Sequence, residues 1–382
     1  MGSLVWADDL TGAAEAAHTW QAAASHQQVR IVLGVPEQMD PGAAQVWDLD
    51  LRHASEAHAQ RQMATALHRL EVGTRLYFKL DSQLRGPVRA YIGTLLRSGH
   101  PVVLSAANPA LGRVTTGGVH QVPRPGGTPV QLPLRSTFAG LPHHHLAASE
   151  HHLLPALLTA GPPVLVTADV TSTADLEGLA RQVRLAPRTH LAGSAPFLGA
   201  LTTTAGGNDR PTRRHPPAPL PQLLAVLGTT EPAAQDQVRA LRDRDPATTV
   251  VTAPGTAAPD LVSAAAGQVR TGLARGAHVV LTAAPPTTPA GHHPPETMAA
   301  LAATCAAALT GVGPEVALYL SGGHTARTVL DRLHLTDLRT VPGSGDAVAR
   351  LITGDGRTIL TKPGSYGGPR TLLDLAAPTL RI

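Results

Sequence analysis

Val5-Trp6-Ala7-Asp8-Asp9-Leu10-Thr11-Gly12-Ala13 holds the end of a strand, a polar turn and the start of a helix in one short stretch. Leu4, Val5 and Trp6 make the apolar run of a buried strand, and Ala13-Ala14-Glu15-Ala16-Ala17 reads as helix. In an open α/β sheet, ligands collect in the crevice beyond the carboxyl ends of the strands. This turn is therefore expected to set Asp8, Asp9 and Thr11 at a ligand site, beside the free N–H groups of the following helix. The plainer alternative is that one aspartate caps the helix and the other is solvated.

The same grammar repeats along the first half of the chain. The patterning predicts strands at 29–34 and 46–52, a helix over 55–71, and a strand at 75–79. That strand runs into Leu80-Asp81-Ser82-Gln83-Leu84-Arg85-Gly86 and a helix reaching Arg97. A buried strand at 101–107 is followed by a polar loop over 108–118. Alternating strands and helices imply βαβ units and a parallel sheet. Three strand ends then bring Asp8, Asp9, Asp48, Asp50, Arg52, Lys79, Asp81, Ser82 and Arg85 to one edge. Such a mixture suits a polyhydroxylated acid, because carboxylates accept from hydroxyls and arginine pairs with a carboxylate. The competing expectation is a salt-bridge network among these side chains themselves.

Residues 117–142 read as irregular loop with hairpin pieces at 119–122 and 130–132. The histidines at 143–145 and 151–152 are expected in a loop; without spaced Cys or Glu partners they do not make a zinc motif. A strand at 164–167, a helix at 175–183 and a short helix opened by Ala192-Gly193-Ser194-Ala195 follow. Apolar periodicity then fails across 202–221, which carries Pro211, Pro216, Pro217 and Pro219. A boundary is expected there, dividing the chain into domains 1–204 and 222–382 with a linker at 205–221.

The second half restarts the α/β pattern, with strands at 223–227, 248–252, 278–281 and 315–320 and helices over 259–273, 296–309 and 326–333. Four of its turns suit phosphate: Gly228-Thr229-Thr230, Gly322-Gly323 before a helix, Gly343-Ser344-Gly345, and Lys362-Pro363-Gly364-Ser365-Tyr366-Gly367. Glycines ahead of a helix let backbone N–H groups approach an anion, which the helix dipole also favours.

Composition narrows the classes. Aromatic residues are 3% of the chain against 43% hydrophobic, so the cores are expected to rest on Ala, Leu and Val. The 37 glycines and 34 prolines follow no period and indicate many tight turns. A net charge of +4 suits small anions, while so few aromatics and no dense Lys/Arg run argue against nucleic acid. The single cysteine, Cys305, excludes an internal disulfide. With no signal-peptide pattern and no apolar run near ~20 residues, a cytoplasmic protein without a membrane partner is expected.

Ala7-Asp8-Asp9-Leu10-Thr11-Gly12-Ala13, Lys79-Leu80-Asp81-Ser82-Gln83-Leu84-Arg85-Gly86, Ser321-Gly322-Gly323-His324-Thr325-Ala326 and Thr361-Lys362-Pro363-Gly364 occur in that order. Asn108-Pro109-Ala110, Gly112-Arg113, Gly193-Ser194-Ala195 and Gly228-Thr229-Thr230 with Gln237 accompany them. Together these motifs resemble the four-carbon acid sugar kinase family over nearly the whole chain. The resemblance implies ATP-dependent phosphorylation of a tetronate-type acid such as threonate, erythronate or an oxo-tetronate. It implies two α/β domains, each a mainly parallel sheet flanked by helices, with an interdomain cleft. The first would bind the sugar acid and the second the nucleotide.

Under this resemblance Asp8 or Asp9 accepts the hydroxyl proton and Arg85 assists catalysis. The substrate set comprises Asp8, Asp9, Thr11, Gly12, Asp50, Arg52, Lys79, Asp81, Ser82, Arg85 and Gly86, with Arg52, Lys79 and Arg85 on the substrate carboxylate. ATP with Mg²⁺ would lie on Gly228, Thr229, Thr230, Gly322, Gly323, His324, Thr325, Gly343, Gly345, Lys362, Gly364 and Gly367. No protein ligand for a metal is assigned, and a homodimer is a reasonable expectation. The sequence departs from the family at His324, usually acidic, at Thr229 and Thr230, usually serine or cysteine, and at Gln83, usually threonine. Those departures leave open a catalytically silent or divergent sugar-acid-binding protein. A ribokinase-like reading of Gly343-Ser344-Gly345-Asp346 leaves the motifs at 7–13 and 79–86 unexplained. No Walker A pattern and no strand-linked G-x-G-x-x-G occur, against a P-loop enzyme or a dehydrogenase.

Overall fold

The computed structural model describes residues 4–23, 28–37, 43–71, 73–124, 126–159, 161–186, 188–203, 220, 222–229, 231–284, 293–341, 348–364 and 367–376. It comprises two compact units, Met1–Arg210 and Pro211–Ile382. Thr230, Gly343 and Gly345, and all of the expected linker except Leu220, lie outside the described residues.

The strands of the first unit are β1 (Leu4–Ala7), β2 (Arg30–Leu33), β3 (Gln45–Asp48), β4 (Tyr77–Lys79), β5 (Val102–Ser105), β6 (Val114–Thr116), β7 (Val119–Arg124), β8 (Gly127–Pro133), β9 (His143–Leu146), β10 (Leu165–Ala168) and β11 (His190–Gly193). Its main sheet runs β2-β3-β1-β4-β11-β5-β10-β9, with every neighbouring pair parallel. Helices cover a parallel sheet on both faces, which is why all of β1 is buried and reads as an unbroken apolar run. After β1 the chain moves outward to β2, returns through β3, and then crosses to β4 on the other side of β1. The end of β1 therefore sits where the strand order reverses, the position at which open sheets leave a crevice.

The scarce aromatics are concentrated rather than spread. Parallel register sets Trp6 beside Trp47 and Phe78. Trp6 stacks on Trp47 at 5.9 Å, meets Phe78 edge-on at 6.4 Å, and Phe78 meets Tyr91 at 5.0 Å. All four are fully buried, and such pairs contribute about 0.5–1.5 kcal/mol each beyond burial of area. The cores do rest on Ala, Leu and Val, and beneath β1 these aromatics are added to them. Alanine dominates the other side, where the helix Leu10–Ala23 buries Ala13, Ala14, Ala16 and Ala17 and packs on the helix Ala195–Thr202.

Three readings are corrected. The hairpin pieces expected at 119–122 and 130–132 lie within β7 and β8, but the rest of 117–142 is more regular than expected: β6, β7 and β8 form an antiparallel arm, with an irregular step between Val122 and Arg124. The histidines at 143–145 lie in β9, the edge strand, where a polar face is tolerated and apolar alternation disappears. There His143 Nε2 and His145 Nδ1 meet the Thr167 hydroxyl at 2.8 and 2.9 Å, and His145 Nε2 meets Asp169 at 2.8 Å. Residues 190–193 form β11, an interior strand that a four-residue span ending in glycine conceals.

The second unit contains β12 (Gln222–Leu227), β13 (Thr249–Thr252), β14 (Val279–Thr282), β15 (Val316–Ser321), β16 (Asp337–Thr340), β17 (Ala349–Thr353) and β18 (Thr358–Lys362). Its order is β13-β14-β12-β15-β18-β17-β16, parallel up to β18 and antiparallel for the last pairings. Cys305 is fully buried on the helix Pro295–Leu309, and burial pushes its thiol up to about 12, so it is a packing residue. No described helix is long and apolar enough to cross a membrane.

Candidate functional site

The turn after β1 is held by its own backbone before any side chain contributes. The Asp8 carbonyl accepts from the N–H groups of Leu51 and Arg52 at 2.8 and 2.9 Å, tying it to the loop beyond β3. Tyr91 donates to the Leu51 carbonyl at 2.8 Å and anchors that loop from the helix Val88–Arg97. Gly86 closes the approach: a Cβ there would stand 2.9 Å from the Arg52 carbonyl oxygen.

Both carboxylates converge on Arg52. Its Nη2 and Nε donate to Asp8 at 2.6 and 3.1 Å, and its Nη1 donates to Asp9 at 2.5 Å. Asp9 also accepts from Gly12 N and from the Thr11 hydroxyl, each at 2.7 Å, so it does cap the helix. The plainer alternative fails for its neighbour, because Asp8 is not solvated: it is 0% exposed. Burial pushes the Asp8 carboxyl up while Arg52 opposes it. Burial acts to lower the Arg52 guanidinium, but Asp8 and Asp9 hold it above its usual range and fully charged.

Lys79, at the end of β4, is buried and pairs with Glu15 at 2.9 Å while donating to the Leu80 carbonyl at 3.0 Å. Burial works against its charge, and Glu15 with Asp8 more than offsets it, so its pKa is raised. Gly12 sits against this cluster: a Cβ there would be 2.9 Å from Asp9 Oδ1, 3.4 Å from Lys79 Nζ and 3.7 Å from Arg52 Nη2. Asp81 pairs with Arg85, whose side chain is 58% exposed. Burial acts to raise the Asp81 carboxyl, but Arg52 and Arg85 outweigh it and hold the pKa low.

Asp8, Asp9, Thr11, Gly12, Arg52 and Lys79 are thus brought together, with Asp81 within their field. Asp50 is exposed and its side chain makes no hydrogen bond among the described residues; its N–H donates to Asp48 at 3.0 Å. Ser82 turns to a different partner, the antiparallel arm. Arg113 Nη1 donates to the Ser82 hydroxyl at 2.5 Å, and His120 Nε2 meets the Ser82 carbonyl at 2.8 Å. Arg113 and His120 were absent from the residue set drawn from the sequence, although Gly112-Arg113 belonged to an accompanying motif. The expected salt-bridge network is present, because Arg52, Lys79 and Arg85 each carry a carboxylate partner.

In the second unit, parallel register aligns three strand ends: Leu227 pairs with Ser321, and Ser321 with Lys362. Each strand then enters a glycine turn, and the turns touch. A Cβ on Gly364 would lie 2.7 Å from Thr229 Oγ1, and one on Gly228 would lie 2.6 Å from Thr325 Oγ1. Gly322, at φ 100°, places a Cβ position 3.9 Å from Thr229 and precedes the helix Gly323–Arg332, which starts without a side-chain cap or an acidic first turn. Gly228, Thr229, Gly322, Gly323, His324, Thr325 and Gly364 therefore share one edge, and Gly367 accepts from Gln237 Nε2 at 3.4 Å. Lys362 is buried, with Nζ donating to the Pro363 and Gly364 carbonyls at 3.1 Å each. Burial lowers its pKa to about 8, with Glu231 opposing. A glycine cradle with uncapped N–H groups and an under-solvated lysine fits the phosphates of a nucleotide. No group of three or more His, Cys, Asp or Glu side chains suited to a metal occurs among the described residues.

Comparison with known proteins meets these two sites separately. Residues 3–159 match a sugar-binding N-terminal domain, and residues 224–372 match a nucleotide-binding C-terminal domain. The chain belongs to the four-carbon acid sugar kinase family. A D-threonate kinase of Cupriavidus necator is 34% identical over 121 residues, a match taking in 31% of this chain and 29% of that protein. Two crystal structures share the fold. One, from Salmonella typhimurium LT2, has a TM-score of 0.75 at 17% identity, with 99% of each chain covered. The other, a Haemophilus influenzae protein of the DUF1537 family, has a TM-score of 0.69 at 20% identity, covering 99% of this chain and all of that one.

Proposed function

We propose that this protein is an ATP-dependent kinase that phosphorylates a hydroxyl of a four-carbon sugar acid of the threonate, erythronate or oxo-tetronate type. The observation that carries the reading is the Asp8–Arg52–Asp9 cluster at the end of β1, in the part of the chain that matches a sugar-binding domain. Phosphoryl transfer asks little covalent chemistry of a protein; it needs an oriented hydroxyl, a base and neutralised charge. Of the two carboxylates, Asp8 exposes no side-chain surface and Asp9 exposes 11%, so Asp9 is the one a substrate hydroxyl reaches. Asp8 then acts through Arg52, holding the guanidinium that orients Asp9.

ATP supplies the phosphoryl group, and Gly228, Thr229, Gly322, Gly323, Thr325, Lys362 and Gly364 would hold its phosphates. Mg²⁺ is carried chiefly by the nucleotide, since it commonly binds through substrate phosphates and waters with one or two carboxylates. The test is a coupled ADP-release screen of the full chain over four-carbon sugar acids, with five-carbon acids and amino acids as comparators. Turnover confined to the four-carbon acids is expected, and absence of ADP release with all of them refutes the proposal. A second reading, a sugar-acid-binding protein without kinase activity, draws on His324 standing where the family carries an acidic residue. Calorimetry separates the two, because that protein binds the acid and not ATP.

A further inference from the structure

The cations expected to hold the substrate's carboxylate are already engaged. Arg52 faces Asp8 and Asp9, Lys79 faces Glu15, and Arg85 faces Asp81. Four carboxylates against three cations leave this cluster net negative, which repels a second anion rather than binding it. Another cation must take the acid group.

Arg113 has a different set of partners. It lies where the 3₁₀ turn Pro109–Leu111 gives way to β6, and its backbone is fixed by paired bonds with Asn108 at 2.8 and 3.1 Å. One guanidinium N–H reaches the Ser82 hydroxyl, and no carboxylate pairs with Arg113 among the described residues. The guanidinium carries five N–H donors in a fixed fork, so its remaining donors match a planar carboxylate. A buried polar atom on the residue paired with it also lacks a partner: Asn108 Oδ1, on a residue 7% exposed. Unpaired buried acceptors are uncommon in native proteins, and a polyhydroxylated ligand brings the donors that would satisfy them.

The surrounding contacts hold this corner in place. His120 is fully buried, and its Nε2 meets the Ser82 carbonyl while its Nδ1 meets Thr115 Oγ1 at 3.1 Å. A carbonyl only accepts, so the proton is on Nε2 and Nδ1 accepts from the threonine. Burial lowers the His120 pKa, which keeps this neutral tautomer. Asp169 fastens the other end of the arm by accepting from Gly117 N and Gly118 N at 2.9 and 3.1 Å.

We propose that Arg113, with Asn108 and Ser82, forms the subsite that binds the carboxylate and neighbouring hydroxyl of the sugar acid, leaving Arg52 and Lys79 to the reacting end. This rests on the proposed function. The test is calorimetric titration of the full chain with threonate, erythronate and threitol, the neutral polyol of the same length. Wild type is expected to bind an acid more tightly than threitol. Arg113→Gln is expected to weaken acid binding by about 10–100-fold, the loss of a charge-assisted pair, with threitol unchanged. Arg113→Lys, which keeps the charge and loses the fork, is expected to fall between them and stands in if the glutamine variant does not fold. Arg124→Gln, an exposed arginine on the same arm, is expected to bind as wild type. Acid binding within twofold of wild type in Arg113→Gln overturns the subsite while leaving the kinase reading intact. Failure of wild type to bind any of these acids overturns both.

Discussion

Asp9 is assigned two tasks, helix cap and base, and Asp9→Asn separates them. Asparagine caps a helix about as well as aspartate, so the bond from Gly12 N survives and the helix Leu10–Ala23 keeps its start. What is lost is the charge facing Arg52 Nη1, a charge-assisted contact of about 1–3 kcal/mol. Arg52 keeps its paired bonds to Asp8, so no guanidinium is stranded. For a unit of this size such a loss lowers the melting temperature by about 2–12 °C. Turnover should fall far more, by about 10²–10⁴-fold or roughly 2.7–5.4 kcal/mol of barrier, because an amide cannot accept the hydroxyl proton. Asp8→Asn is the contrast: it breaks the paired contact between a wholly buried carboxylate and Arg52, whose side chain is 10% exposed, costing about 3–5 kcal/mol of stability. The assay is coupled ADP release for kcat and KM beside calorimetric melts of both variants. Turnover of Asp9→Asn within about tenfold of wild type, below the range for loss of a base, would refute the reasoning and leave Asp9 a cap.

Other expectations follow from the same geometry. Lys362 has a pKa near 8, and nucleotide phosphates restore its charge, so ATP binding at pH 8 should take up about half a proton and at pH 6 almost none. Titrations in buffers of different ionisation enthalpy measure this, and Lys362→Met should abolish it. His190 is held down to about 4 by burial, with His100 and Arg75 adding to it, so between pH 6.5 and 4 the unfolded chain binds more protons than the folded one. The resulting stability is complete above pH 6.5 and is lost as pH falls toward 4; His190→Phe should flatten that part of a melting-temperature profile. Gly193 adopts φ 152°, and a Cβ there would lie 2.0 Å from the Ser105 carbonyl oxygen. Gly193→Ala must move backbone between β11 and β5, and a loss of more than about 3 kcal/mol in denaturant unfolding is expected.

How much of this was legible in the residues depended on the range of the interactions. Strands buried on both faces announce themselves as apolar runs, so β1, β5, β12 and β15 could be read directly, as could the polar turns that follow them. The cap formed by Asp9 and the glycine turns at 228, 322 and 364 are likewise local, written within a few residues of where they act. Edge and short strands were not legible: β9 carries three histidines on a tolerant edge, and β11 is four residues ending in glycine.

The partners of Asp8, Arg52 and Lys79 were decided by tertiary structure. Asp8 and Arg52 are 44 residues apart, and only the placement of β1 beside β3 joins them. Composition cannot say that Arg52 and Lys79 are neutralised, because their pairing depends on which elements lie side by side, whereas Arg85 meets Asp81 four residues earlier in the same turn. Arg113 became a candidate for the same reason: the folding of the β6–β8 arm sets it against Ser82, 31 residues earlier, and no carboxylate among the described residues pairs with it. Sequence therefore determined which turns carry chemistry, through short-range periodicity and capping. The fold determined which charges remain available to a ligand, because Coulomb interactions act through space and not along the chain.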